Sequence, residues 1–189
     1  MKYCSSCGDR VELRVPKGDD RKRYVCESCG EIHYQNPKIV TGCLPVWEDK
    51  VLLCRRAIEP RYGKWTLPAG FMENGESSQQ GAARETWEEA CAKVEVSGLY
   101  TTINLPHISQ VYMMFLSRLK VPEFAPGSES LEVILCDEAD IPWDELAFPV
   151  ITETLRFYFE DRKTGAFPHR TGDITWKDRS TGQYQLNLL

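Results

Sequence analysis

A glycine-bearing loop that leads into an acidic helix, residues 70–92, constrains this chain more than any other feature. The segment reads GFMENGESSQQGAARETWEEACA. Ser77, with a glutamine three positions later, predicts a capping box at the start of the helix. Glu85, Glu88 and Glu89 follow at helical spacing, so their carboxylates are expected to share one face.

The opposite side of this helix predicts how it packs. On a helical wheel Ala83, Trp87 and Ala90 lie across from the three acids, which predicts an apolar inward face and an acidic outward face. Like charges at this spacing weaken a helix by roughly 0.2–0.5 kcal/mol per pair, and Arg84 is the one cation close by. A solvated acidic surface and a site for Mg²⁺ or Mn²⁺, which prefer hard oxygen ligands, both fit this pattern.

Two pairs of cysteines indicate a second kind of site near the N-terminus. Cys4-x2-Cys7 and Cys26-x2-Cys29 are separated by 18 residues, the spacing of a structural zinc ribbon in which four thiolates hold one Zn²⁺ ion. Two disulfides or a redox-active pair remain alternatives. Zinc is favoured because no signal peptide is recognised, which fits a reducing compartment. The remaining cysteines stand singly in apolar stretches and are interpreted as small buried side chains: Cys43, Cys54, Cys91 and Cys136.

The pattern along the chain predicts three parts: a zinc ribbon (1–34), a main domain (35–165) and a C-terminal tail (166–189) that carries no strong pattern. In the main domain, alternation and turn residues predict strand, turn and strand over 39–57. Further strands are predicted at 94–103, 109–121 and 131–137, and a helix over 148–165.

Composition excludes several classes of protein. A net charge of −5 leaves no large basic surface, so a bulk nucleic-acid binder is not expected. No apolar run reaches 18 residues, so no membrane span is predicted. Together with the polar N-terminus this predicts a cytoplasmic protein, and a hydrophobic content of 42% is enough for a packed core.

Taken as a whole, residues 70–92 resemble the signature of the Nudix hydrolases. Gly70 is followed at the family's spacing by Glu76, by Arg84-Glu85 and by Glu88-Glu89. Cys91 stands where the family has a closing glycine, so the way the chain leaves the helix is in question. The resemblance implies an α/β fold, the Nudix α/β/α sandwich with a mixed β-sheet. It also implies hydrolysis of a nucleoside diphosphate linked to another moiety.

The resemblance also assigns roles to residues. The three box glutamates and one backbone carbonyl would bind Mg²⁺ or Mn²⁺, an arginine would orient its neighbouring glutamates, and Glu76 would fix the loop to the helix. A further acid from a later loop or strand would complete the site, and the start of a predicted strand favours Glu132 over Glu129. The metal ligands so implied are Glu85, Glu88, Glu89 and the carbonyl of Ala69, and the catalytic residues are Glu85, Arg84 and Glu132.

The branch of the family is a finer question. NADH pyrophosphatases also carry a zinc ribbon, but they have a marker of the form SQPWPFP after the signature, where this chain reads INLPHISQVYMMF. The similarity to plant-type FAD and ADP-ribose pyrophosphatases is closer and runs through VLLCRRAIEP, GKWTLPAGFMENGES and IPWDELAF. It predicts cleavage of FAD to FMN and AMP, or of ADP-ribose to ribose 5-phosphate and AMP. Tyr112 or Phe71 is a candidate for stacking on the base, although core packing is the commoner role.

Two alternatives are kept. The first is an NADH pyrophosphatase. The second is a non-catalytic module in which the ribbon and the Nudix fold bind a nucleotide or a nucleic acid, although the only slightly basic ribbon makes nucleic acid an improbable partner. The expected partners are therefore a small dinucleotide substrate and, by analogy with Nudix relatives, a second copy in a homodimer.

Overall fold

The computed structural model describes residues 1–178 and 182–189. The chain divides into two compact units, Met1–Pro37 and Lys38–Leu189.

The N-terminal unit is a small antiparallel sheet with two cysteine-bearing turns. Its strands, in the order β1-β2-β3, are β1 (Val11–Arg14), β2 (Arg23–Cys26) and β3 (Ile32–His33). The two turns are built alike: Gly8 donates its N–H to the Cys4 carbonyl and Gly30 to that of Cys26, both at 3.0 Å. Both glycines have positive φ (83° and 77°), a conformation that glycine adopts without strain.

The second unit is built on one large mixed sheet. The elements of this unit are β4 (Lys38–Trp47), β5 (Lys50–Arg56), β6 (Trp65–Thr66), β7 (Ala69–Phe71), α1 (Ser78–Ala90), β8 (Val94–Leu105), β9 (Gln110–Leu119), β10 (Ser130–Cys136), α2 (Pro149–Asp161), β11 (Arg170–Asp178) and β12 (Gln183–Leu188). The strands follow one another across the sheet in the order β10-β5-β4-β9-β8-β11-β12, with β6 paired to β5 and β7 to β4. β4 runs parallel to β9 and β8 to β11, and the other pairs are antiparallel. Short 3₁₀ turns lie at Pro106–Ile108, Glu138–Asp140 and Trp143–Glu145.

The two helices pack on opposite faces of the sheet. Successive residues of a strand point to opposite faces. On β4, Leu44 belongs to the core cluster that contains the buried side chains of α2, whereas its neighbour Cys43 packs with Ala82 of α1. The predicted α/β/α layering with a mixed sheet is therefore confirmed. No helix in residues 1–178 or 182–189 combines the length and the apolar character needed to cross a membrane.

The predicted strands and the second helix are confirmed, but the interpretation of the tail is wrong. Most of 166–189 forms β11 and β12, which extend the sheet beyond β8; residues 179–181 lie outside the described residues. In β11 only Gly172 and Ile174 are buried. So few apolar residues give no detectable alternation, and the strand is fixed instead by non-local parallel pairing with β8, from Arg170↔Thr101 to Asp173↔Asn104.

Asp161, the last residue of α2, joins three elements of this unit. Its carboxylate accepts hydrogen bonds from the Tyr100 hydroxyl of β8 at 2.6 Å and from Arg170 of β11 at 2.5 and 2.6 Å. Burial by itself opposes ionisation, but the hydrogen bonds from Arg170 and Tyr100 outweigh it and hold the pKa of Asp161 below its usual value. The site therefore stabilises the folded state only while Asp161 is ionised.

We expect Asp161→Asn to lower the free energy of unfolding by roughly 1.5–3 kcal/mol at neutral pH, since it weakens charge-assisted hydrogen bonds at a buried position. Because the folded-state pKa is lowered, the contribution is present above about pH 4 and disappears as the pH falls through the folded value. The gap between the melting temperatures of wild type and variant should narrow accordingly in acid. Glu160→Gln, which breaks an exposed ion pair with Lys163, is the control and should have little effect. An equal effect of both changes would contradict the assignment.

Candidate active site and candidate metal centre

Helix α1 begins and ends as local chemistry requires. Ser77 caps it: its hydroxyl accepts the Gln80 N–H, and the Gln80 side chain accepts the Ser77 N–H, so the predicted capping box is confirmed. At the other end Cys91 takes the left-handed conformation (φ 48°, ψ 25°) and donates its N–H to the Trp87 carbonyl. Cys91 therefore makes the exit usually made by glycine, and its side chain is only partly buried rather than fully buried as predicted.

The predicted packing of this helix is wrong for Trp87 and Glu89, although Ala90 is buried as predicted. Trp87 is 50% exposed, whereas Glu89 is only 5% exposed and lies on the buried face with Ala82 and Thr86. Small residues decide this, because they allow α1 to approach the sheet closely: a Cβ on Gly81 would lie 2.7 Å from Thr41 Cγ2 of β4. An indole does not fit such an interface. One of the three acids is thereby turned inward.

Arg84 holds the acids of the loop and the helix together. Its guanidinium donates to both carboxylate oxygens of Glu76 (2.8 and 3.0 Å), to Glu85 (2.8 Å), to Glu88 (2.8 Å) and to the Phe71 carbonyl (3.2 Å). Glu76 also accepts the Glu73 N–H at 2.7 Å. The hydrogen bonds from Arg84 and then from Glu73 lower the pKa of Glu76 to about 2, so this acid is a fixed anion that ties the loop to α1.

Glu85 and Glu89 lie against the backbone of β7. The Ala69 N–H donates to Glu89 Oε2 at 3.3 Å, and a Cβ on Gly70 would lie 2.3–2.4 Å from the carboxyl group of Glu85, so only glycine leaves room for it. Burial raises the pKa of Glu85. Burial, followed by the charge of Glu85, raises the pKa of Glu89 to about 8. Both pKa values are raised because the two carboxylates lie close together away from solvent. A cation bound between them would stabilise their ionised forms.

Glu88 does not join that pair. It is 53% exposed at the side chain and turned toward Arg84. Within the described ranges the carboxylate oxygens of Glu85, Glu88 and Glu89 do not all lie within 4.8 Å of one another. One Arg84 nitrogen donates to both Glu85 and Glu88, so Glu88 is held on the Arg84 side of Glu85. All three residues offer carboxylate oxygens, and that of Glu89 is buried beside β7. Carboxylate oxygens are the type of ligand that Mg²⁺ and Mn²⁺ prefer.

The loop between β9 and β10 ends at the acid pair. Ala125 donates its N–H to the Ala90 carbonyl (2.9 Å) and Gly127 to that of Glu89 (3.0 Å), so the loop satisfies carbonyls left free at the end of α1. A Cβ on Gly127 would lie 1.7 Å from the Glu88 carbonyl oxygen. The sequence reading missed this docking, because its only signal is a glycine in a turn-rich stretch.

The structure separates the two candidate loop acids. Glu132 lies on β10, opposite Arg55 of β5, with the two side chains 3.7 Å apart and about half exposed. Glu129 lies three residues earlier, directly before β10, and its backbone carbonyl accepts the Ala57 N–H at 2.8 Å. The charge of Glu129 contributes to the raised pKa of Glu85 and of Glu89. With Gly127 bonded to the Glu89 carbonyl two residues earlier in the chain, Glu129 is the better placed of the two loop acids to act with the pair.

The four N-terminal cysteines form the second site. Their sulfurs all lie within 4.8 Å of one another, with Cys4 and Cys29 3.7 Å apart and Cys7 and Cys26 3.4 Å apart. Tetrahedral Zn–S bonds of about 2.3 Å separate two sulfurs by about 3.8 Å, whereas a disulfide separates them by about 2.05 Å. All four are free thiols. The donor set and its spacing fit a Zn²⁺ ion and not two disulfides.

The surroundings of Cys4 favour its thiolate. Although burial opposes ionisation, hydrogen bonds from the Cys7 and Ser6 N–H groups and from His33 lower the pKa of Cys4 to about 6. His33 Nε2 lies 3.3 Å from the Cys4 sulfur. The thiolate is the form that binds a metal. Of the other four cysteines, Cys43, Cys54 and Cys136 are buried, as predicted.

Comparison with known proteins is consistent with both sites. Residues 2–35 match the family model described as Nudix N-terminal, a zinc ribbon, and residues 36–156 match the NUDIX domain. A crystal structure of a NUDIX hydrolase from Nitrosomonas europaea is 57% identical, with a TM-score of 0.90 over 92% of this chain and 99% of that one. An ADP-ribose pyrophosphatase from Streptococcus suis is 25% identical, with a TM-score of 0.57 over 72% of this chain and 99% of that one.

Among curated proteins, the NAD-capped RNA hydrolase NudC of Photobacterium profundum is 32% identical over 146 residues, which are 74% of this chain and 51% of that protein. NudC of Stutzerimonas stutzeri is 29% identical over 69% of this chain and 46% of its own length. The chain thus spans about half the length of these relatives.

Proposed function

The chain belongs to the Nudix hydrolase family, and from this we propose that it is a divalent-metal-dependent pyrophosphatase that cleaves the diphosphate of a nucleoside diphosphate linked to another moiety. One observation carries the proposal: Glu89 is buried and Glu85 is partly buried beside it, against Ala69 and Gly70, with Arg84 bonded to Glu85 and Glu88. A surface that was merely acidic would not bury a carboxylate in this way.

We propose Glu85, Glu88, Glu89 and the Ala69 carbonyl as the groups that would hold Mg²⁺ or Mn²⁺. When bound, such an ion lowers the pKa of a coordinated water and neutralises charge on the phosphate oxygens. Arg84 keeps Glu85 and Glu88 in place by a hydrogen bond to each. Without Arg84 their mutual repulsion would be uncompensated.

We propose Glu129, rather than Glu132, as the loop acid that takes a proton from the attacking water. Glu129 is near enough to Glu85 and Glu89 to raise the pKa of both. Glu132 is occupied by Arg55. The docking of Gly127 on α1 positions Glu129 two residues further along the chain.

We expect Gly127→Ala to lower turnover by up to about 100-fold, because the added Cβ meets the Glu88 backbone and displaces the loop that bears Glu129. Initial rates on the preferred substrate would measure this. Gly98→Ala is a matched control: Gly98 lies in β8 with nothing within 4 Å of the added Cβ, so its rate should not change. Equal rates for all three proteins would contradict the role given to the loop.

For the substrate, we propose FAD or ADP-ribose, cleaved to AMP with FMN or with ribose 5-phosphate. The structural similarity to an ADP-ribose pyrophosphatase and the absence of the SQPWPFP marker support this choice. A second candidate is an NAD-type dinucleotide or an NAD-capped RNA end, which the curated relatives favour. A non-catalytic binding module is less well supported, because the chain keeps every acid of the signature.

For the N-terminal unit we propose a structural Zn²⁺ held by Cys4, Cys7, Cys26 and Cys29, in a ribbon preceding the hydrolase domain. We also propose a homodimer in the cytoplasm, on the analogy with Nudix relatives alone. Light scattering would test the dimer.

A substrate panel tests the proposed function. FAD, ADP-ribose, NADH, NAD, diadenosine polyphosphates and capped RNA are incubated with Mg²⁺ or Mn²⁺, and products are separated by chromatography. Preferred release of AMP from FAD or ADP-ribose supports the first candidate. Preference for NADH, NAD or NAD-capped RNA supports the second. No turnover of any compound by a protein that binds the metal would replace the enzyme by the binding module.

A further inference from the structure

Arg56 ends β5 at a point where three segments meet. Its N–H donates to the Lys64 carbonyl and its carbonyl accepts the Gly63 N–H, both at 2.9 Å. Across the sheet it is in register with Ser130, the first residue of β10. The next residue, Ala57, donates its N–H to the carbonyl of Glu129. Arg56 therefore lies beside the loop that ends at the acid pair.

The side chain of Arg56 is held rigidly but its charge is not neutralised. The residue is only 9% exposed, Nε donates to the Pro60 carbonyl at 2.9 Å, and the guanidinium lies 5.3 Å from the centre of the Phe148 ring. Over the described residues no carboxylate lies within 4.0 Å of it. The neighbouring Arg55, by contrast, faces Glu132 at 3.7 Å.

A buried cation without a counter-ion is costly, so its position requires an explanation. Neither terminal nitrogen of Arg56 has a hydrogen-bond partner in the described chain. Ser130 Oγ is the one described side-chain oxygen or nitrogen that is fully buried and without a partner. The two terminal nitrogens of Arg56 therefore keep some contact with solvent, and they can accept an anion from outside.

The anion would arrive beside the acid pair. Arg56 is in register with Ser130, and the loop that leads to Ser130 is fixed to the end of α1, where the Gly127 N–H donates to the Glu89 carbonyl at 3.0 Å. Glu89 does not come within 4.0 Å of the Arg56 guanidinium, so the two terminal nitrogens of Arg56 can bind a ligand. A phosphate group suits such a fork, because two parallel N–H bonds match two of its oxygens.

We propose that Arg56 binds a phosphate group of the nucleotide substrate and so positions the diphosphate next to Glu85, Glu89 and Glu129. This inference rests on the proposed function for the identity of the ligand as a nucleotide. Phe148 and Pro60 fix the guanidinium in advance, so that little conformational freedom is lost on binding.

The test compares the binding of AMP with that of adenosine by calorimetry, in the presence of Mg²⁺. Arg56→Gln keeps an N–H donor for Pro60 and removes the charge, and we expect AMP to bind roughly 10- to 100-fold more weakly while adenosine is unaffected. Arg56→Lys keeps the charge without the fork and should give a smaller loss of the AMP preference. The corresponding rates should show KM for the dinucleotide rising more than kcat falls.

Arg55→Gln is the matched control, since it removes an adjacent arginine that already faces Glu132, and its preference for AMP should equal that of wild type. Equal weakening of AMP and adenosine in Arg56→Gln, or an equal loss in Arg55→Gln, would overturn the proposal. If Arg56→Gln does not fold, Arg56→Lys decides: an unchanged ratio of the two affinities refutes phosphate binding. Loss of AMP preference in a protein that hydrolyses no dinucleotide would keep the binding role and reject the proposed function.

Discussion

Replacing Glu89 with glutamine is expected to reduce turnover by more than about 100-fold, whichever dinucleotide is preferred. Glu89 is the most deeply buried of the three signature acids and accepts the Ala69 N–H. Substitutions of groups that only support a metal ligand typically cost 10- to 100-fold in activity or metal affinity, so the loss of a carboxylate proposed to bind the ion directly should cost more. Steady-state rates over a range of Mg²⁺ concentrations would measure the effect.

The same substitution should leave the fold intact or stabilise it. Glutamine keeps the volume of glutamate and an oxygen for the Ala69 N–H, and it is neutral, as Glu89 largely is in the metal-free protein at pH 7, because its pKa is raised to about 8. The melting temperature of the metal-free protein should therefore not fall. Glu95→Gln, at an exposed position of β8, is the control for both measurements. Normal turnover in Glu89→Gln would reject the proposed metal ligands, and a large fall in melting temperature would show that Glu89 is structural.

The local features of the site could be predicted from the sequence because local chemistry determines them. Ser77 and Gln80 satisfy one another's backbone across a single turn of α1, and the two Cys-x2-Cys turns are each closed within five residues by their own glycine. Neither feature depends on where the rest of the chain goes. The same holds for the spacing of Glu85, Glu88 and Glu89 along the helix.

The orientation of those acids could not be predicted in the same way. A helical wheel assigns the most hydrophobic face of a helix to the core, so it predicted that Trp87 would face inward and Glu89 outward. The structure does the reverse, because Gly81 and Ala82 bring α1 close to the sheet and leave no room for an indole. A buried carboxylate works against stability, and it is retained here at the position where the metal is proposed to bind.

Non-local contacts also separate Glu129 from Glu132 and place the C-terminal strands. The position of Glu132 near the start of a predicted strand favoured it from sequence, but pairing of β10 with β5 places it opposite Arg55. Glu129 is held near the acids by contacts of its loop with α1 and with Ala57. Parallel pairing of β11 with β8 joins residues about 70 positions apart in the chain, as in Arg170↔Thr101. No local pattern reports such a contact.

Replacing Cys26 with serine is expected to abolish zinc binding and to unfold the N-terminal unit alone. Within Met1–Pro37, which is described throughout, Val25 and Pro16 are the two buried apolar side chains besides cysteine. Burying one valine contributes roughly 1.5–3 kcal/mol, whereas a structural zinc site of this kind contributes roughly 10–16 kcal/mol. The metal would therefore supply most of the folding free energy of this unit. The second unit has its own core, centred on side chains such as Leu44, Leu53 and Ile151, and should keep its melting transition.

Elemental analysis of the purified protein would measure zinc, and limited proteolysis would report on the state of the N-terminal unit. Wild type should hold about one zinc per chain, and Cys26→Ser close to none, with cleavage confined to the first 37 residues. Cys91→Ser is the matched control, because it also leaves seven cysteines but removes a half-buried thiol outside the cluster. Unchanged zinc in Cys26→Ser would mean that four thiolates do not hold the ion. Loss of zinc without increased cleavage would mean that the ribbon folds without it, and the energetic comparison between two buried apolar side chains and one metal ion would then be wrong.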